Sequence, residues 1–143
     1  MMYDPQVVKP MREELVRIEA TELLTPEDVD EDLGGEPSGT TLVVVNSVCG
    51  CAAANARPAV AIARGHEVQP DRMVTVFAGQ DREATDRARS YMVGYRPSSP
   101  SIALFRDGEH MFMLERHQIE GRDAPSIAAD LRDVYDRYCS AKV

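Results

Sequence analysis

From Thr40 onward the chain alternates short apolar runs of strand length with helix-forming stretches, and that alternation restricts it to an α/β fold. The pattern predicts a strand over Thr41–Asn46, a helix over Gly50–Arg64, a strand over Met73–Ala78, a helix over Arg82–Val93 and a strand over Ser101–Arg106. Strands separated by helices pair in parallel through right-handed crossovers. Asp107-Gly108 then suits a tight hairpin turn into an antiparallel fourth strand near His110–Leu114. A closing helix follows Asp123-Ala124-Pro125, with Ile127, Leu131, Val134, Tyr135 and Tyr138 on one stripe. Upstream, Asp4-Pro5 opens a helix whose Val7, Val8, Met11, Leu15 and Ile18 recur on one face, and Thr25-Pro26-Glu27-Asp28 starts a short acidic helix that stops at Gly34-Gly35. Glu36 to Gly39 reads as a loop. The expected organisation is one domain over 1–143, with a helical extension over 1–36 and a core over 40–140.

The chemistry is concentrated where the first core strand hands over to its helix. Cys49-Gly50-Cys51 lies between the apolar run Leu42-Val43-Val44-Val45 and the helix-forming run Ala52 to Arg57. Such a junction aims the unpaired N–H groups of the first helical turn, and the positive end of the helix dipole, at the residue that occupies it; both stabilise a thiolate. Cys49 therefore reads as a nucleophile and Cys51 as the thiol that releases what Cys49 captures. Bridged cysteines need Cα atoms roughly 4.4–6.8 Å apart, which a helically bent tripeptide satisfies and an extended one does not. Gly50 adds no side chain to crowd so small a ring. The competing readings are two small core residues, or a soft-metal Cys-x-Cys site holding Cu(I), or Zn²⁺ with His66, His117 or Cys139 completing the shell. Neither a second cysteine pair nor a close His-x-x-His spacing supplies those ligands.

Composition narrows the setting. The chain has 143 residues, three cysteines and a net charge of −8, which argues against a general nucleic-acid binder, and no basic cluster reverses that balance. No segment resembles a signal peptide and no apolar run is long enough for a membrane, so a cytoplasmic, reducing location is expected. Cysteine pairs there are catalytic or metal-binding.

A βαβ unit, a further helix, a β-hairpin and a closing helix, with the cysteines after the first core strand, resemble the thioredoxin arrangement. That implies a three-layer sandwich: a central mixed sheet of about four strands, helices on both faces and an N-terminal helical extension. Pro58, inside the cysteine-bearing helix, removes a backbone hydrogen bond and crowds the carbonyl of Ala54, so a kink is expected. Ser98-Ser99-Pro100-Ser101 resembles the fold's cis-proline segment, which would set Gly50, Ser99 and Pro100 along a groove where a substrate's extended chain could pair. Val43 to Ala53, Arg57-Pro58-Ala59, Thr75 to Asp81, Pro97 to Ser101 and Arg116-His117-Gln118-Ile119-Glu120-Gly121 are similar to the bacilliredoxin family nearly end to end. That family removes bacillithiol from mixed disulfides on other proteins and has also been considered as disulfide isomerases. The resemblance implies Cys49 as attacking thiol and Cys51 as its partner, with bacillithiol as co-substrate, no bound cofactor, and bacillithiolated proteins as partners. Ala54 departs from the glycine expected there, which raises helix propensity and leaves the chemistry intact.

Bacillithiol carries two carboxylates, so an acidic protein that prefers it needs local cations. Arg96, Arg116 and Arg57 are the candidates, Arg57 being the most remote at about 12 Å of helix rise from Cys49. His117 is a candidate for the same rim, as proton relay or thiolate partner, or as a plain hydrogen bonder at a strand end. Asp81 is expected to cap the helix at Arg82, Asn46 and Ser47 to support the cysteine loop, and Cys139 to be a partly exposed thiol near a helix end.

Overall fold

The computed structural model describes residues 2–35 and 37–139, so the expected loop residue Glu36 and the expected core end at 140 lie outside the described residues. Five strands form one mixed sheet in the order β1-β3-β2-β4-β5. They are β1 (Thr21–Glu22), β2 (Thr40–Asn46), β3 (Arg72–Phe77), β4 (Ser101–Arg106) and β5 (Glu109–Leu114). The centre is β2, every residue of which is buried; it pairs in parallel with β3 and antiparallel with β4. A strand buried on both faces needs no alternation of polar and apolar residues, hence the unbroken Leu42-Val43-Val44-Val45. The sheet has one strand more than the sequence suggests. That strand, β1, is two residues long and pairs with Val74 and Thr75 of β3, too short to leave a periodic signal.

Alternate residues of the sheet feed two separate cores. Leu42, Val44, Ile102, Leu104 and Leu114 face a layer built from α1 (Pro5–Val16), α3 (Arg57–Ala63) and α6 (Ala124–Tyr138), where Leu15, Val60, Leu131 and Tyr135 meet them. Val43, Val45, Val74, Val76, Ala103 and Phe105 face α2 (Pro26–Leu33) and α4 (Arg82–Ser90) through Val29, Leu33, Ala84 and Ala88. The two N-terminal helices thus cover opposite faces of the sheet. Their caps are as the sequence implies: Asp4 accepts from the N–H of Gln6, and Thr25 from that of Asp28.

Three local details differ from expectation. Helix α4 ends at Ser90 rather than Val93: the Ser90 hydroxyl donates to the carbonyl of Arg87, the Tyr91 hydroxyl donates to Asp30, and Val93 is left 81% exposed. Asp81 precedes α4 without making a side-chain cap; its carboxylate takes two hydrogen bonds from Arg12, at 2.7 and 2.9 Å. The cysteine-bearing helix is interrupted by a π-helical turn over Ala52–Ala56, in which the Arg57 N–H reaches back to the carbonyl of Ala52. The wider turn ends just before Arg57-Pro58 and accommodates the donor that Pro58 lacks, so a π-helical turn stands where the sequence suggests a kink.

Candidate active site

Cys49 ends the loop that leaves β2, and Gly50 and Cys51 are already helical, directly before the π-helical turn; buried polar groups fix this junction from below. The Asn46 side chain accepts from the N–H of Ser47 (2.9 Å) and from Arg57 Nη1 (2.8 Å), while its amide donates to the carbonyl of Met11 in α1 (3.1 Å). Ser47 Oγ then accepts from the N–H of Cys49 at 3.0 Å. Arg57 also donates to the carbonyl of Ser47 (3.0 Å) and to Glu14 of α1 (2.9 Å). With 3% of its surface exposed, Arg57 is part of this foundation and cannot serve the anion-binding rim proposed for it from sequence. Its position next to Pro58, on the turn that faces back toward the strand end, buries it.

Above the foundation the two sulfurs have different surroundings. The Cys51 N–H donates to Cys49 Sγ at 3.3 Å. Burial opposes the Cys49 thiolate more than any other single effect, yet the Cys51 N–H, the Cys51 thiol, the Arg116 guanidinium and the Ala52 N–H together outweigh it. Its pKa lies below that of an ordinary thiol. Cys51 is pushed up, first by burial, then by its hydrogen bond to Cys49 and by the charges of Cys49 and Glu120, with Arg116 in opposition. None of the three cysteines is in a disulfide. A Cβ placed on Gly50 would meet nothing within 4 Å, so the space over the loop is open to an incoming disulfide.

A four-residue helix, α5 (Arg116–Ile119), closes one side of this site. Arg116 Nε donates to Glu120 at 3.1 Å, its Nη1 to the carbonyl of Ser99 at 3.4 Å, and its backbone N–H to Ser98 Oγ at 3.3 Å. The Cys51 thiol donates to the same oxygen of Glu120 at 3.6 Å. The Ser99–Pro100 peptide bond is cis. Contacts thus run from Cys49 through Cys51, Glu120 and Arg116 to the loop that carries Ser99 and Pro100.

Residues 3–139 match the model of a family described as disulphide isomerase. A bacilliredoxin from Salinibacter ruber is 53% identical over 140 residues, covering 97% of this chain and 82% of that relative. Another, from Halalkalibacterium halodurans, is 54% identical over 134 residues and covers 94% and 91% respectively. The chain belongs to the bacilliredoxin family. It is a thiol–disulfide oxidoreductase. Solved thioredoxins from Halobacterium salinarum and Malassezia sympodialis superpose at a TM-score of 0.57, at 20% and 14% identity, covering 88% and 85% of this chain and 96% and 92% of theirs. At those identities they speak for the thioredoxin-like fold alone.

For a bacilliredoxin, sequence reasoning located the thiols but misjudged part of their setting. Of the three candidate cations besides Arg57, Arg116 alone is tied to the thiols. Arg96 is exposed and has no hydrogen bond or ion pair among the described residues; His117 is likewise exposed on α5 and without such a partner. Glu120, beside Cys51, was given no role, although its spacing of four from Arg116 was a readable ion-pair signal. Glu14 was missed altogether, since nothing in the α1 pattern marks a carboxylate that meets a helix forty-three positions away. Cys139 packs at the end of α6 against the same core layer as Cys51. His66 pairs with Asp136, and among the described residues no group of three or more His, Cys, Asp or Glu is arranged to hold a metal ion.

Proposed function

We propose that this chain removes bacillithiol from mixed disulfides on cytoplasmic proteins, with Cys49 attacking and Cys51 resolving. The reading is carried by two thiols held at an open strand-to-helix junction with unequal proton affinities, the readier thiolate under the influence of an arginine. Cys49 as thiolate attacks the bacillithiol sulfur; the S–S bond to the client protein breaks, and the client leaves as a thiolate that takes a proton from water. Cys51 then attacks the Cys49 sulfur, expels bacillithiol as a thiolate and leaves a Cys49–Cys51 disulfide for an external thiol to reduce. Arg116, whose charge acts on Cys49, would attract a bacillithiol carboxylate, with the exposed Arg96 as a second candidate cation. Ser99 and Pro100 would border the groove in which the client's chain lies.

The description of the matched family favours a second reading, disulfide isomerisation, in which Cys49 attacks a protein disulfide and is expelled when another client thiol re-pairs. One comparison separates them. The protein is given a bacillithiolated client and, separately, a scrambled disulfide-bonded client. The first reading expects fast release of bacillithiol and slow unscrambling; rapid unscrambling with bacillithiol left in place refutes it.

A further inference from the structure

We propose that Glu120 is a catalytic residue of the second half-reaction: its carboxylate takes the proton of Cys51 as that thiol attacks the mixed disulfide on Cys49. The proposal rests on the reading that Cys51 resolves the adduct, and it supplies what that reading leaves open, the destination of the thiol proton.

The geometry brings donor and acceptor within reach of each other. Glu120 Oε2 lies 3.6 Å from the Cys51 sulfur, a sulfur hydrogen-bond distance, and once Cys49 is tied up in a mixed disulfide it no longer competes as a thiolate for the Cys51 hydrogen, leaving the carboxylate as the acceptor. The carboxylate is held in place rather than loose. Its oxygen also accepts from Arg116 Nε, and its backbone N–H donates to the carbonyl of Arg116 at 2.8 Å. The helix behind it is fixed by a reciprocal cap, in which Glu115 accepts from the N–H of Gln118 and Gln118 accepts from the N–H of Glu115, and by the bond from the Arg116 N–H to Ser98. The same carboxylate is half exposed, so it can pass the proton on to water.

In the step, the Cys51 S–H bond breaks and an O–H bond forms on Glu120. The electron pair left on Cys51 forms the bond to Cys49, and the bond from Cys49 to the captured sulfur breaks with its pair going to the departing thiolate. The two protein sulfurs end oxidised to a disulfide and the departing sulfur ends reduced. Glu120 returns its proton to that thiolate or to water.

A bland alternative makes an opposite prediction. If Glu120 is only a negative charge next to Cys51, it holds the proton on the thiol, and neutralising it would free the thiolate and speed resolution. The test uses the full chain with Cys139→Ser, mixed with an equimolar aromatic disulfide whose thiolate is coloured. The first thiolate released reports attack by Cys49, the second reports resolution by Cys51, and Cys51→Ser should show the first alone. In Glu120→Gln the first phase should keep or exceed its rate, while the second slows by about tenfold or more near neutral pH. That slowed phase should also climb with pH more steeply than in the parent, since only Cys51 that is already ionised can attack; Glu120→Asp should recover part of the loss. A second phase in Glu120→Gln that is as fast as the parent's, or faster, overturns the role of Glu120. A parent protein that releases only the first thiolate overturns the resolving role of Cys51, and this proposal with it, without any variant at position 120.

Discussion

Arg57 divides its donors between Glu14, Asn46 and the carbonyl of Ser47, and through Asn46 and Ser47 it fixes the backbone N–H of Cys49. Hydrogen bonds to charged groups contribute about 1.5–3 kcal/mol each, and stranding a buried acceptor costs a comparable amount, so Arg57→Met should lose about 2–4 kcal/mol in urea unfolding. Its Cys49 should also alkylate more slowly at neutral pH. Lysine should restore little of either, because a single ammonium cannot reproduce the fork; an unchanged unfolding midpoint would refute the structural role. Arg116 acts on the same sulfur from above. Since it helps hold the Cys49 pKa down, Arg116→Gln should shift the alkylation profile toward higher pH. The rate then falls most at pH values between the lowered and the ordinary thiol pKa, and is unchanged at alkaline pH where Cys49 is ionised in both proteins. A superimposable pH profile would remove Arg116 from the account. The two arginines also mark what a sequence conveys. Most arginines are solvated, so nothing local marks Arg57 as buried, whereas Arg116 at least carries the readable spacing to Glu120.

At the scale of elements, α1 does more than cover the sheet. It lends the Met11 carbonyl and Glu14 to the cysteine loop, and Leu15, fully buried, anchors it in the core beneath α3. Leu15→Ala should cost about 2–5 kcal/mol of stability and, by loosening α1, also slow Cys49 alkylation in the surviving folded fraction. A loss of stability with the alkylation rate untouched would confine α1 to packing. Elements with strong periodicity or capping residues were legible: β2, the hairpin at Asp107-Gly108 and α6 behind Asp123 all stand where the pattern puts them. Those that were not legible are short or set by tertiary contact. Strand β1 has two residues and α5 has four, below any repeat. Asp81 has the residue type and place of a cap, but Arg12, sixty-nine positions away, claims its carboxylate.

For the whole molecule, a net charge of −8 opposes an anionic ligand, and only local fields can reverse that, because charges beyond a Debye length of about 8–10 Å are screened. Reversing Arg96 and Arg116 together should slow reaction with bacillithiol mixed disulfides more than with hydroxyethyl disulfide, and the difference should shrink in high salt. Equal slowing of both would place the preference elsewhere. The central claim, that Cys49 captures bacillithiol and Cys51 releases it, is reached most directly by intact-mass spectrometry after mixing the protein with a bacillithiolated client. The wild-type chain should return the client to its unmodified mass and itself carry the Cys49–Cys51 disulfide; Cys51→Ser should retain bacillithiol on Cys49, and Cys49→Ser should leave it on the client. A client that stays modified, or an adduct on Cys51 with Cys49 bare, would contradict the account.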